Sequence, residues 1–60
     1  MKTELIENIG FTEEEYNVRT LGENIASFDE FINAIVAFVE KSGGSLEDAV
    51  DMANDAYFQL

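Results

Sequence analysis

Cysteine, histidine, proline and tryptophan are all missing from this 60-residue sequence, and only 3 of its residues are Lys or Arg. Each absence closes a class of explanation. Without cysteine no disulfide can staple the fold, and without cysteine or histidine no zinc site of the thiolate/imidazole kind can form. Without histidine a nucleophilic serine has no imidazole base; Ser27, Ser42 and Ser45 read instead as caps and turn residues. There is no D-x-[DN]-x-[DN]-G loop, which excludes an EF-hand calcium site. The longest uncharged stretch, residues 31–39, contains Asn33 and falls well short of the roughly 18 apolar residues a membrane span needs. Glu4 and Glu7 break up any apolar region behind Lys2, so the N-terminus does not read as a signal peptide. The expectation is a soluble, cytoplasmic chain, and the lack of cysteine agrees with a reducing compartment.

What is abundant is acid. Thirteen Asp and Glu give a formal charge of -10. A potential that negative repels DNA, RNA and anionic membrane and attracts basic protein surfaces. The chain is also 47% hydrophobic, with five Phe and two Tyr, which is too apolar for a disordered segment. It therefore reads as one small folded domain, residues 1–60. A body of this size buries only about 60% of the surface its unfolded chain exposes.

The strongest local signals lie in the second half. Ser27 and Glu30 form a capping box, and Phe28, Phe31, Ile32, Ile35, Phe38 and Val39 recur at helical spacing. With Val36 they cover an arc of about 160° at about 100° per residue, a stripe wide enough to need two neighbours. Lys41 and then Gly43 or Gly44 supply the stop. Ser45 caps a second helix with Glu47 and Asp48 in its first turn and Leu46, Ala49, Val50, Ala53, Tyr57 and Leu60 on one face. The short Gly-containing connection makes the pair an antiparallel αα-hairpin, with Ala49 and Ala53 admitting Phe31, Ile35 and Phe38.

In the first half, Leu5, Ile6 and Ile9 suit a short helix after Thr3, stopped by Gly10. Thr12 and Glu15 make another capping box, with Phe11 and Tyr16 placed as a hydrophobic staple, and a helix is predicted to about Leu21. The alternation from Tyr16 to Leu21 leaves a short strand there, and an α+β fold, as the alternative. Residues 22–26 form the connection, with Ile25 tucked inward. The predicted fold is thus all-α, three or four helices ending in the hairpin.

The last helix carries the candidate site. Glu47, Asp48, Asp51 and Asp55 fall within about 100° of one another, opposite Leu46, Val50 and Tyr57. Carboxylates one turn apart, about 5.4 Å along the axis, approach the spacing of phosphates on a nucleic-acid strand. The stripe could therefore occupy a phosphate-binding groove; the alternative reading is a solvated face that maintains solubility. No Lys or Arg lies within it to relieve its repulsion. Phe58 falls between Glu47 and Asp51 on the helical wheel and Met52 at the stripe's far edge, which gives the acids apolar contact anchors. The same acids rule out a DNA-binding helix-turn-helix. Glu13, Glu14 and Glu15 read as complements to a helix dipole rather than as a metal or basic-peptide site.

These features predict a non-enzymatic, cofactor-free protein-binding module. It would act as an inhibitor or modulator that engages the basic surface of a nucleic-acid-handling protein through Glu47, Asp48, Asp51 and Asp55, with Phe58 and Met52. Small acidic chains of this composition are often phage or mobile-element accessory proteins. The competing expectation is a structural or assembly protein that homodimerises through the apolar face of Phe28, Phe31, Ile35 and Phe38, acids outward.

Overall fold

The computed structural model describes residues 1–21, 23 and 25–60; of the predicted connection, Gly22 and Asn24 lie outside the described residues. The elements are α1 (Lys2–Asn8), α2 (Glu13–Arg19), α3 (Phe28–Lys41) and α4 (Leu46–Phe58), with no strand among the described residues. The all-α prediction holds, and the strand alternative over residues 16–21 gives way to helix through Arg19 and a turn at Thr20 and Leu21.

Local chemistry explains why the helix wins there. The Glu15 amide donates to Thr12 Oγ1 at 3.1 Å, while the Thr12 amide donates to Glu15 Oε1 at 2.8 Å. Two of the amide groups a helix start leaves unpaired are thereby satisfied. Phe11 and Tyr16 close the predicted staple, their ring centroids 6.4 Å apart. The helix stops at Arg19, short of Leu21, because its final turn tightens: the Leu21 amide bonds the Val18 carbonyl, three residues back, at 3.3 Å.

The same box logic starts α3 and α4. Ser27 pairs reciprocally with Glu30, and Ser45 with Asp48. Each such cap stabilises its helix by about 1 kcal/mol, which is a substantial share of the stability of so short a chain. Between the two helices Gly43 takes the left-handed conformation, φ +73°. The Gly44 amide then donates to the Val39 carbonyl at 2.8 Å and the Gly43 amide to Glu40 at 3.2 Å, a complete Schellman stop that turns the chain back on itself. A side chain at 43 would have to adopt a backbone geometry that L-residues disfavour. α1 starts two residues earlier than Thr3 implies: Met1 is its N-cap, and its carbonyl accepts from the Leu5 amide at 2.8 Å.

α3 is the central helix, packed against α1, α2 and α4, and α1 also meets α4. The core is Leu5, Phe11, Tyr16, Phe28, Ile32, Ile35, Val39, Ala49, Ala53 and Tyr57. Ala49 and Ala53 are fully buried, as expected of small residues at a close helix crossing. Phe38 and Leu60, both assigned to the buried faces from sequence, are instead exposed, and so is Ile25. Leu60 lies beyond the end of α4. Phe38 has a geometric reason. The buried residues Phe28, Ile32, Ile35 and Val39 occupy only the central 60° or so of the 160° stripe at about 100° per residue. Phe31 and Phe38 share one edge two turns apart. Phe31 is covered by Phe11 and Tyr16, whose ring centroids lie 6.1 and 5.0 Å away; Phe38 stands too far along the helix to share that cover.

Candidate protein-interaction surface

α4 buries one side and exposes the other. Ala49, Ala53 and Tyr57 are buried, Leu46, Val50 and Met52 are half-buried, and Glu47, Asp48, Asp51 and Asp55 are all exposed. The helix is held in this rotation from both flanks. Asn54 Oδ1 accepts from the Gly10 amide at 2.7 Å, tying α4 to the end of α1. The Tyr57 ring is stacked on Phe11 at 3.9 Å. Asn54 is thus a structural residue that faces the N-terminal segment.

The acids are not equivalent. Asp48 Oδ2 accepts from the Ser45 amide at 2.9 Å and from its hydroxyl at 3.3 Å, so this carboxylate belongs to the helix cap. Asp55 Oδ2 accepts from Gln59 Nε2 at 3.1 Å. Glu47 and Asp51 make no side-chain hydrogen bond among those of the described residues. Phe58 is 61% exposed, its ring centroid 5.0 Å from that of Tyr57 in an edge-on arrangement. It therefore does not fold back over the N-terminal segment. Met52 packs against the core and offers only part of its surface.

Two of the three cationic side chains, Lys2 and Arg19, are engaged away from this face. Among the described residues the ion pairs are those of the Met1 amino group with Glu4 and of Lys2 with Asp29. Lys2 bridges α1 to the first turn of α3, and its hydrogen bond and charge, helped by Asn33, hold the Asp29 carboxyl below its ordinary range. Arg19 lies over the Tyr57 ring at 4.9 Å and reaches the Leu60 carbonyl at 3.5 Å. None of these contacts neutralises the acidic side of α4. Among the described residues no three carboxylates gather closely enough to hold a metal ion, and no helix is long and apolar enough to cross a membrane.

The four residues expected to mediate self-association do not form one exposed face. Phe28 and Ile35 are inside the monomer, Phe31 is half-buried, and Phe38 alone is open, at 57%. A different exposed apolar pair was missed by sequence reasoning: Val18 and Leu21 at the end of α2. The signal was present, because both lie opposite Tyr16 on a helical wheel, at about 100° per residue. The ambiguity between helix and strand concealed it. Against protein-family models, curated proteins and solved structures, the chain has no match.

Proposed function

We propose that the chain is a non-enzymatic protein-binding module whose acidic α4 face docks on the basic surface of a nucleic-acid-handling protein and competes there with the nucleic acid. One observation carries this reading. Glu47, Asp51 and Asp55 form an exposed row with no cationic partner among the described residues, and an open Phe58 shares their side of the helix. Like charges one turn apart on a helix reduce its stability, so the row costs the fold something that a basic partner would offset. An exposed aromatic within a charged rim is the usual composition of an energetic anchor. Asp48 contributes to the field but is held by its cap, and Met52 contributes at the margin.

The test uses the intact chain as bait in parallel with D51K/D55K and F58S. A specific partner is captured by the wild type, lost with both variants, and released from its own nucleic acid when the wild-type chain is added. Full capture by D51K/D55K would sink the proposal. The exposed Phe38 favours a second reading, a homodimer through the open edge of α3. In sedimentation equilibrium that dimer would be lost in F38S and kept in D51K/D55K.

A further inference from the structure

Val18 and Leu21 are the most exposed large apolar side chains of the described residues, at 69% and 82%. α2 buries only Tyr16; Val18 stands on its opposite side, and Leu21, two residues past the end of the helix, lies beside Val18. Two shallow depressions flank Val18 and Glu14 on this outer face, one completed by Glu13, Asn17 and Leu21 and the other by Glu15, Arg19 and Tyr57. Apolar centre and acidic rim therefore belong to one surface, and it lies on a different helix from the acidic row of α4.

We infer that this face of α2 is a second docking surface, for a basic amphipathic segment of another protein: an apolar side chain of that segment rests on Val18 and Leu21 while its Lys or Arg residues meet Glu13 and Glu14. Charge selects the occupant. The cation at the edge, Arg19, is already turned onto Tyr57 and the Leu60 carbonyl. Glu13, Glu14 and Glu15 therefore set the sign of the rim, and Glu15 is partly used by the Thr12 cap. A second copy of the chain is a poor fit. A symmetric contact would set this acidic rim against itself between two bodies of charge -10. Two side chains also provide far less than the roughly 800 Å² per partner of a standard protein–protein interface, an area that suits a short segment instead. The inference does not depend on the α4 reading, since it uses other residues.

The experiment titrates the full chain with a fluorescein-labelled Lys/Leu peptide that forms an amphipathic helix, and with a Lys/Ser peptide of equal charge. Anisotropy gives the affinity and amide chemical shifts give the site. The expected result is a set of shifts centred on Glu14, Asn17 and Val18, with affinity reduced about tenfold or more both in V18S/L21S and for the Lys/Ser peptide. D51K/D55K should bind the Lys/Leu peptide at this site as the wild type does. Both Val18 and Leu21 are exposed, so V18S/L21S keeps the fold, which circular dichroism verifies. E13Q/E14Q provides an independent variant that should weaken binding and flatten its salt dependence. Wild-type affinity in V18S/L21S overturns the inference, as does equal binding of the Lys/Ser peptide or a set of shifts confined to α4. So does a dimer of the chain that V18S/L21S abolishes.

Discussion

The ring of Phe11 lies 3.9 Å from that of Tyr57, centroid to centroid, and within 6° of parallel. This contact joins the connection between α1 and α2 to the last turn of α4, which bears Phe58. Phe11 also meets Phe28 and Phe31 at 6.4 and 6.1 Å in edge-on arrangements. It is thus the side chain on which the N-terminal segment, α3 and α4 converge. Edge-to-face packing aligns ring edges with ring faces of opposite partial charge, so the contacts contribute geometry as well as buried area.

Phe11→Ala should therefore be the most damaging single substitution outside the helices. Truncating a buried Phe costs about 3–5 kcal/mol, against a total stability of only about 5 kcal/mol or so for a domain of this size. Urea titration followed by circular dichroism should find Phe11→Ala largely unfolded in buffer at room temperature and Phe11→Leu still folded with a lower midpoint. Equal midpoints for Phe11→Ala and wild type would refute the central role of this ring.

The parts of the fold read correctly from sequence are those decided within four or five residues. The boxes at Thr12 and Ser27, the staple between Phe11 and Tyr16 and the left-handed Gly43 all depend on near neighbours. What escaped depends on distant ones. The stacking of Phe11 on Tyr57, the grip of Asn54 on the Gly10 amide and the seat of Arg19 on Tyr57 each join segments far apart in the chain. The stripe on α3 was visible, but which part of it would be covered was fixed by where α1, α2 and α4 pack. Hence Phe28 and Ile35 became core and Phe38 remained open. In the candidate site, the acidic row was legible from the period of α4. The role of Asp48 as a cap was only half legible, because Asp takes the place of the more familiar Glu or Gln in that box.

Tyr16 makes stability depend on alkali. Its hydroxyl donates to the Ala26 carbonyl at 2.6 Å, and burial, with the nearby charge of Glu30, pushes its ionisation above the ordinary 10.0. The folded chain holds this proton more tightly than the unfolded chain does. The contribution is therefore complete below pH 10 and declines as pH rises from there through the folded value. Tyr16→Phe should lose about 1 kcal/mol at neutral pH through the missing hydrogen bond. Melting curves should show the gap between the two proteins narrowing above pH 10; a gap that widens there would contradict the assignment.

Asp29 acts at the other end of the scale. Its carboxyl is held below the ordinary 3.8, first by the hydrogen bond from Lys2 and then by the charge of Lys2. A depressed value means that the unfolded chain takes up the proton first, so this contribution is present above pH 3.8 and is lost as pH falls through the folded value. Melting temperatures of wild type and Asp29→Asn should differ at pH 6 and converge on acidification. Because the pair is exposed and screened by salt, the difference should also shrink as ionic strength rises.

The two adjacent acids Asp48 and Asp51 should separate stability from recognition. Asp48 accepts from the Ser45 amide at 2.9 Å within the cap, whereas Asp51 stands in the exposed row. Asp48→Ala should therefore cost about 1 kcal/mol, the usual value of a lost cap, and lower the urea midpoint. Asp51→Ala should be neutral or slightly stabilising, because Ala is the better helix former and one source of repulsion on the row disappears. Partner capture should follow the opposite order, weakened by Asp51→Ala more than by Asp48→Ala once both variants are compared under fully folded conditions. If Asp51→Ala destabilised the fold as much as Asp48→Ala did, the row would be part of the architecture rather than a surface kept for contact.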